Sequence, residues 1–191
     1  MRSAMLALVL LVGSAGCVMT RDGDVKPPAQ WPPHSNQQAK KSIALHVIEA
    51  GSQAISPDGA EDFREQAVKA YSESGLFSSV VTTGEETDLH ADITILGYGS
   101  DGLSWSGAIS ALTLTMIPGV VSQDLVTNTT YRDRQPKVIG IIEKYARLGF
   151  WIQFFLLFAM PFVDGPSTIM NETQYDLHRI TIEEAHRKGF F

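Results

Sequence analysis

The sequence contains a single cysteine, Cys17, so no disulfide can form within the chain. Basic residues are also scarce: 15 Lys and Arg stand against 21 Asp and Glu, which gives a formal net charge of −6. This acidic balance argues against nucleic acid as a partner and against a polybasic attachment to anionic lipid headgroups. The chain also lacks an uninterrupted apolar run of the roughly 20 residues that a membrane-spanning helix needs. Its 191 residues, 44% of them hydrophobic, are enough for one domain with a sizeable core.

The start of the chain has the order of a secretory signal. Arg2 is followed by an apolar run over residues 5–12 and then by small residues up to Cys17. This run is too short to span a bilayer. The residues Ser14-Ala15-Gly16-Cys17 resemble the lipobox of bacterial lipoproteins, although Ser14 stands where the motif usually has Leu. The resemblance implies that residues 1–16 are a signal peptide that is removed and that Cys17 is acylated.

Acylation of Cys17 would attach the protein to a membrane outside the cytoplasm, because each buried CH₂ of an acyl chain contributes about 0.8 kcal/mol. Residues 17–40 are rich in Pro, Gln and charge, which predicts a flexible tether. In the lipoproteins of Gram-negative bacteria, Asp after the lipidated cysteine retains the protein in the inner membrane. Val18 occupies that position and favours the outer membrane, with the inner membrane as the alternative. A further alternative is an uncleaved anchor in which Cys17 is simply buried.

We predict that residues 41–191 form a single α+β domain with one mixed sheet of about five strands. It begins with a strand–helix–strand unit in which Asp58 caps the helix and Gly75 ends it. The strand after the next turn is expected to be antiparallel, which would bring two apolar segments to one end of the sheet. The predicted strands are Ser42–Ile48, Leu76–Thr82, Ala91–Tyr98, Gln123–Tyr131 and Val138–Tyr145, and a C-terminal helix follows over Ser167–Lys188.

The two apolar segments cover residues 103–121 and 148–163. They admit three interpretations: part of the core, a lobe that contacts a membrane, lipid or envelope protein, or a helical hairpin that makes the chain an integral membrane protein. A lobe would place aromatic residues at a headgroup boundary, where they are favoured. The residues predicted to make the membrane or partner contact are Trp105, Leu112, Met116, Phe150, Trp151, Phe154 and Phe155.

No motif predicts catalysis, a cofactor or a metal. Residues 97–102 spell G-x-G-x-x-G, but they follow a third strand, and Asp101 would place negative charge where a phosphate should sit. Glu183 and His186 have the spacing of a metal-binding E-x-x-H pair, yet a second such pair is missing. The sequence therefore predicts a lipid-anchored cell-envelope lipoprotein with a binding or assembly role. Its layout resembles small lipoproteins that assist envelope transport or assembly. An envelope hydrolase with an unrecognised site is the remaining alternative.

Overall fold

The computed structural model describes residues 16–21, 25–34, 40–49, 57–83, 86–99, 105–113, 116–153, 156 and 162–191. Within these ranges six strands form one mixed sheet in the order β1-β6-β5-β4-β2-β3. The predicted α+β class is confirmed, with six strands in place of about five. The elements are β1 (Gly16–Arg21), β2 (Lys41–Glu49), α1 (Pro57–Glu73), β3 (Phe77–Val81), β4 (Leu89–Gly99), α2 (Trp105–Leu112), β5 (Gly119–Asp133), β6 (Val138–Gln153) and α3 (Pro166–Arg187).

Helix α1 follows its sequence pattern closely, because its apolar residues repeat at helical spacing. Four of them share one face and are fully buried: Phe63, Ala67, Ala70 and Tyr71. The helix ends before Gly75, whose φ of +64° lies in the left-handed region that favours glycine. At the other end the prediction was wrong. Asp58 lies inside the first turn, since the helix already begins at Pro57, a residue whose missing N–H is no loss at that position.

Strand β2 lies between β3 and β4 and runs parallel to both of them. The prediction that the third predicted strand runs antiparallel to the second is therefore wrong. The Asp88 carboxylate accepts hydrogen bonds from the backbone N–H and the hydroxyl of Ser42, at 3.0 and 2.9 Å, which holds the start of β4 beside the start of β2. Because β4 runs opposite to the expected direction, it gives no reason for both apolar segments to lie at one end of the sheet.

Strands β5 and β6 are longer than predicted and take in parts of both apolar segments. Residues 148–153 of β6 pair antiparallel with β1, from Arg21↔Leu148 to Gly16↔Gln153. The helical-hairpin interpretation is therefore wrong for this part of the second segment. In the first segment α2 has only eight residues. No helix among the described residues is long and apolar enough to cross a membrane.

Within the predicted tether, the structure describes residues 17–21, 25–34 and 40. Residues 17–21 belong to β1, and Val25 is buried. The guanidinium of Arg179 on α3 lies 5.0 Å from the centre of the Trp31 ring, within the range of a cation–π contact. The flexible tether over residues 17–40 therefore stays a prediction, with residues 17–21 in a strand.

The chain divides into two compact units. The single domain predicted over 41–191 stays a prediction. The first unit takes in residues up to 22, 99–124 and 147–170, and the second takes in 23–98, 125–146 and 171–191. The described parts of both apolar segments and β1 belong to the first unit. The largest fully buried side chains of the second unit include Tyr71 and Tyr131, whose hydroxyl oxygens are 2.6 Å apart.

Candidate functional site

Exposed apolar side chains are concentrated in the first unit. Among the described residues, ten large hydrophobic side chains are exposed, and six of these belong to the first unit. Single exposed apolar residues are ordinary, but several in one unit point to a contact surface. We call these six residues the apolar set: Leu112, Met116, Ile117, Trp151, Phe162 and Val163.

The end of α2 presents three members of the apolar set. The backbone N–H and the hydroxyl of Thr113 both donate to the carbonyl of Ile109, at 3.0 and 2.9 Å. The same hydroxyl oxygen accepts the backbone N–H of Ile117 at 3.3 Å. These bonds close the helix with a turn, since they satisfy backbone groups that a helix end leaves free. Leu112, which is 86% exposed, and Met116 and Ile117 stand on this turn.

The register of β1 and β6 decides which aromatic residue of β6 faces outward. Phe150 is paired with Met19, and Trp151 is paired with Val18. Paired residues in a sheet share a face, and successive residues alternate between the two faces. Met19 is buried and Phe150 is half-buried, whereas Trp151 is 44% exposed. Of the two aromatic residues that pair with β1, Trp151 is therefore the one that is available for a contact.

The residues predicted from sequence have different outcomes. Leu112, Met116 and Trp151 are exposed, as a contact surface requires, and Phe150 is half-buried. Trp105 begins α2, but its side chain is outside the description, and Phe154 and Phe155 lie outside the described residues. Sequence reasoning missed three members of the apolar set, although all of them lie in the predicted apolar segments: Ile117, Phe162 and Val163.

An ion pair between β5 and β6 is the clearest charged feature of the first unit. Arg147 donates to both carboxylate oxygens of Asp124, with Nε–Oδ1 and Nη2–Oδ2 distances of 2.8 and 3.3 Å. These hydrogen bonds hold the pKa of Asp124 below its usual value. Because the pair is exposed, it orients the two strands more than it stabilises them.

The predicted E-x-x-H pair lies near the end of α3, where its two members have different surroundings. Glu183 is exposed, while His186 Nε2 lies 3.2 Å from the carbonyl oxygen of His34. The neighbouring Glu184 forms ion pairs with Lys144 and Lys188, and hydrogen bonds from these two ammonium groups lower its pKa to about 2. In the part of the chain that is described, no three His, Cys, Asp or Glu side chains are placed to hold a metal ion.

The glycine-rich motif is described only in part. Residues 97–99 form the end of β4, and residues 100–102 lie outside the described ranges. The expectation that this motif does not hold a dinucleotide phosphate therefore stays a prediction.

No family model matches the chain, and no curated protein matches it. Among solved structures it is similar to the PelC dodecamer from Paraburkholderia phytofirmans, with 8% sequence identity and a TM-score of 0.39. That match covers 85% of this chain and 94% of the PelC chain. A point variant of the same PelC dodecamer gives 9% identity, the same two coverages and the same TM-score. Both likenesses are too distant to carry an argument about function.

Proposed function

We propose that this protein is a lipid-anchored lipoprotein of the bacterial cell envelope that acts by binding or assembly and not by catalysis. Acylated Cys17 attaches it to a membrane, with the periplasmic face of the outer membrane as the favoured location. The apolar set provides a second contact, to the membrane or to an envelope protein. The observation that carries this proposal is that most of the described exposed apolar side chains belong to the same unit as β1, the strand that contains Cys17.

The expected strength of the second contact follows from the exposed area. Burial of a Leu or Phe side chain contributes about 1.5–3 kcal/mol relative to leaving it in water. Leu112 and Phe162 are 86% and 87% exposed, so nearly all of this free energy is available to a contact. Together they would contribute about 3–6 kcal/mol, which is enough for a reversible association and too little to replace the acyl anchor.

The test separates the two contacts. Residues 18–191 are exported behind an ordinary cleavable secretory signal, which removes Cys17 and the lipid, and the fraction that sediments with envelope membranes is measured. We expect part of this protein to remain membrane-associated and the double variant Leu112→Ser, Phe162→Ser to be released. The matched control is Val138→Ser, Ile141→Ser, because these two exposed apolar residues lie in the second unit.

Three results would each contradict a different part of the proposal. If the full chain incorporates no labelled palmitate, the lipid anchor is wrong. If the lipid-free protein is wholly released before any substitution, the apolar set makes no second contact. If both double variants are released equally, the contact is unspecific and does not belong to the first unit. Repeating the sedimentation with protein-free lipid vesicles then tells whether a retained contact is with lipid or with an envelope protein.

A further inference from the structure

A row of polar side chains crosses the second unit on one face of the sheet. The alternate residues Leu45, Ala91 and Ile93 are buried, so their neighbours in sequence project from the opposite face. His46 on β2 is paired with Asp92 on β4. On the next strand, Arg132 Nε lies 2.8 Å from Asp92 Oδ2.

Two imidazoles meet in this row. His90 is paired with Ala44, whose small side chain leaves room for the imidazole of His46 two residues further along β2. The rings of His46 and His90 are stacked, with their centres 5.8 Å apart and their planes 13° from parallel. Since His46 and His90 are 44 positions apart in sequence, only the parallel register of β2 and β4 brings them together.

These side chains line a groove of about 610 Å³. The groove also contains Thr82 and Thr83, which follow β3, and Arg134 in the turn between β5 and β6. All of the lining residues belong to the second unit. The volume falls in the range of small-molecule sites.

The groove is rich in cations and hydrogen-bond donors, although the whole chain carries a net charge of −6. Two guanidinium groups stand against the single carboxylate of Asp92. Arg132 forms an ion pair with Asp92 through Nε, and its side chain is nevertheless 40% exposed. A guanidinium has five N–H donors, so Arg132 has donors left for a ligand oxygen in addition to the pair with Asp92.

We propose that this groove binds the phosphate group of a small phosphorylated ligand. Guanidinium, imidazole and hydroxyl donors reach the groove from four adjacent strands or their ends, which suits the oxygens of a tetrahedral phosphate better than a planar carboxylate. The volume leaves room for more than a lone ion. The phosphate belongs either to a soluble monoester or to a lipid headgroup. This site lies in the second unit and is independent of the function proposed for the apolar set.

The test uses the full chain, inorganic phosphate as the probe and titration calorimetry as the measurement. Arg134→Gln removes one groove cation at an exposed turn position, where we expect the substitution to leave the fold intact. Lys137→Gln is the matched control, because it removes the same charge from an exposed residue of the same turn that does not line the groove. We expect Arg134→Gln to weaken phosphate binding about tenfold or more and Lys137→Gln to change it by less than about twofold. Circular dichroism of both variants checks that the fold is retained.

Absence of phosphate binding by the unsubstituted protein would overturn the proposal. An equal loss in the two variants would also overturn it, since the effect would then come from net charge alone. The source of the phosphate is distinguished with vesicles that contain phosphatidylglycerol in phosphatidylcholine. If Arg134→Gln lowers vesicle binding and free phosphate competes with it, the source is a headgroup. If vesicle binding is absent or unaffected while phosphate binding is lost, the source is a soluble monoester.

Discussion

As the pH is lowered, this protein should lose stability before its carboxylates begin to protonate. The cause is one buried histidine. His178 on α3 is 1% exposed, and its ring meets that of Phe63 edge to face with the ring centres 4.7 Å apart. Its Nε2 has no hydrogen-bond partner. Burial alone lowers the pKa of His178 from 6.5 to about 3, since a charged imidazolium cannot be solvated there.

The size of the effect follows from the difference in bound protons between the two states. Below pH 6.5 the unfolded chain binds a proton at His178 and the folded chain does not, so the free energy of unfolding falls by about 1.4 kcal/mol per pH unit. The stabilisation is complete above pH 6.5 and is lost as the pH falls. At about pH 5 the expected loss is roughly 2 kcal/mol relative to about pH 7.5. Glu184, whose pKa is lowered from 4.5, loses its contribution only below that window.

The assay is urea unfolding of the full chain, followed by circular dichroism at several pH values between about 5 and 7.5. The comparison protein carries His178→Leu, which places an apolar side chain at the buried position and removes the titrating imidazole. We expect the free energy of unfolding to fall with pH in the unsubstituted protein and to fall much less in the variant. A parallel fall in both proteins would refute the reasoning, because another group would then be responsible.

Two further predictions concern contacts in the core. The hydroxyl oxygens of Tyr71 and Tyr131 are fully buried and 2.6 Å apart, so either single change to Phe should lower the free energy of unfolding by about 1–3 kcal/mol, and the double change should cost less than the sum. Urea unfolding of the four proteins measures this coupling, and strictly additive losses would show that the hydroxyls do not interact. A Cβ at Gly140 would lie 2.1 Å from the ring tip of Phe190, so Gly140→Val should cost about 1–3 kcal/mol in thermal unfolding. Phe190→Ala in the same chain should remove most of that added cost, and failure to do so would place the clash elsewhere.

Local patterns in the sequence predicted the elements well, but not the direction of one strand. Helix α1 could be predicted because Phe63, Ala67, Ala70 and Tyr71 repeat at helical spacing. Strand alternation over Leu89–Gly99 is the same in parallel and antiparallel sheets, so it could not show how β4 runs. That direction depends on long-range contacts such as the one between Ser42 and Asp88. For the same reason the meeting of His46 and His90 was missed.

The candidate contact surface could be predicted by region but not by residue. The apolar composition of 103–121 and 148–163 marked both segments, and members of the apolar set come from both. Which side chain is exposed depends on pairing, as Phe150 and Trp151 show: β1 places Met19 beside one and Val18 beside the other. Helical spacing cannot supply that information for a segment that is a strand over 148–153.

The pairing of β1 with β6 changes what a lipid at Cys17 would do mechanically. A flexible chain of the length of residues 17–40 would have an r.m.s. end-to-end distance of roughly 25–30 Å, and the folded part could move over that distance from its attachment point. Under the proposed lipidation, however, the acylated residue is itself part of β1, and Val18 beside it pairs with Trp151. The first unit would then be attached directly to the bilayer. Its distance from the bilayer and its orientation would be set by a strand and not by the conformational freedom of a tether. A lipid at Cys17 would thus act as a positioning device as well as an anchor.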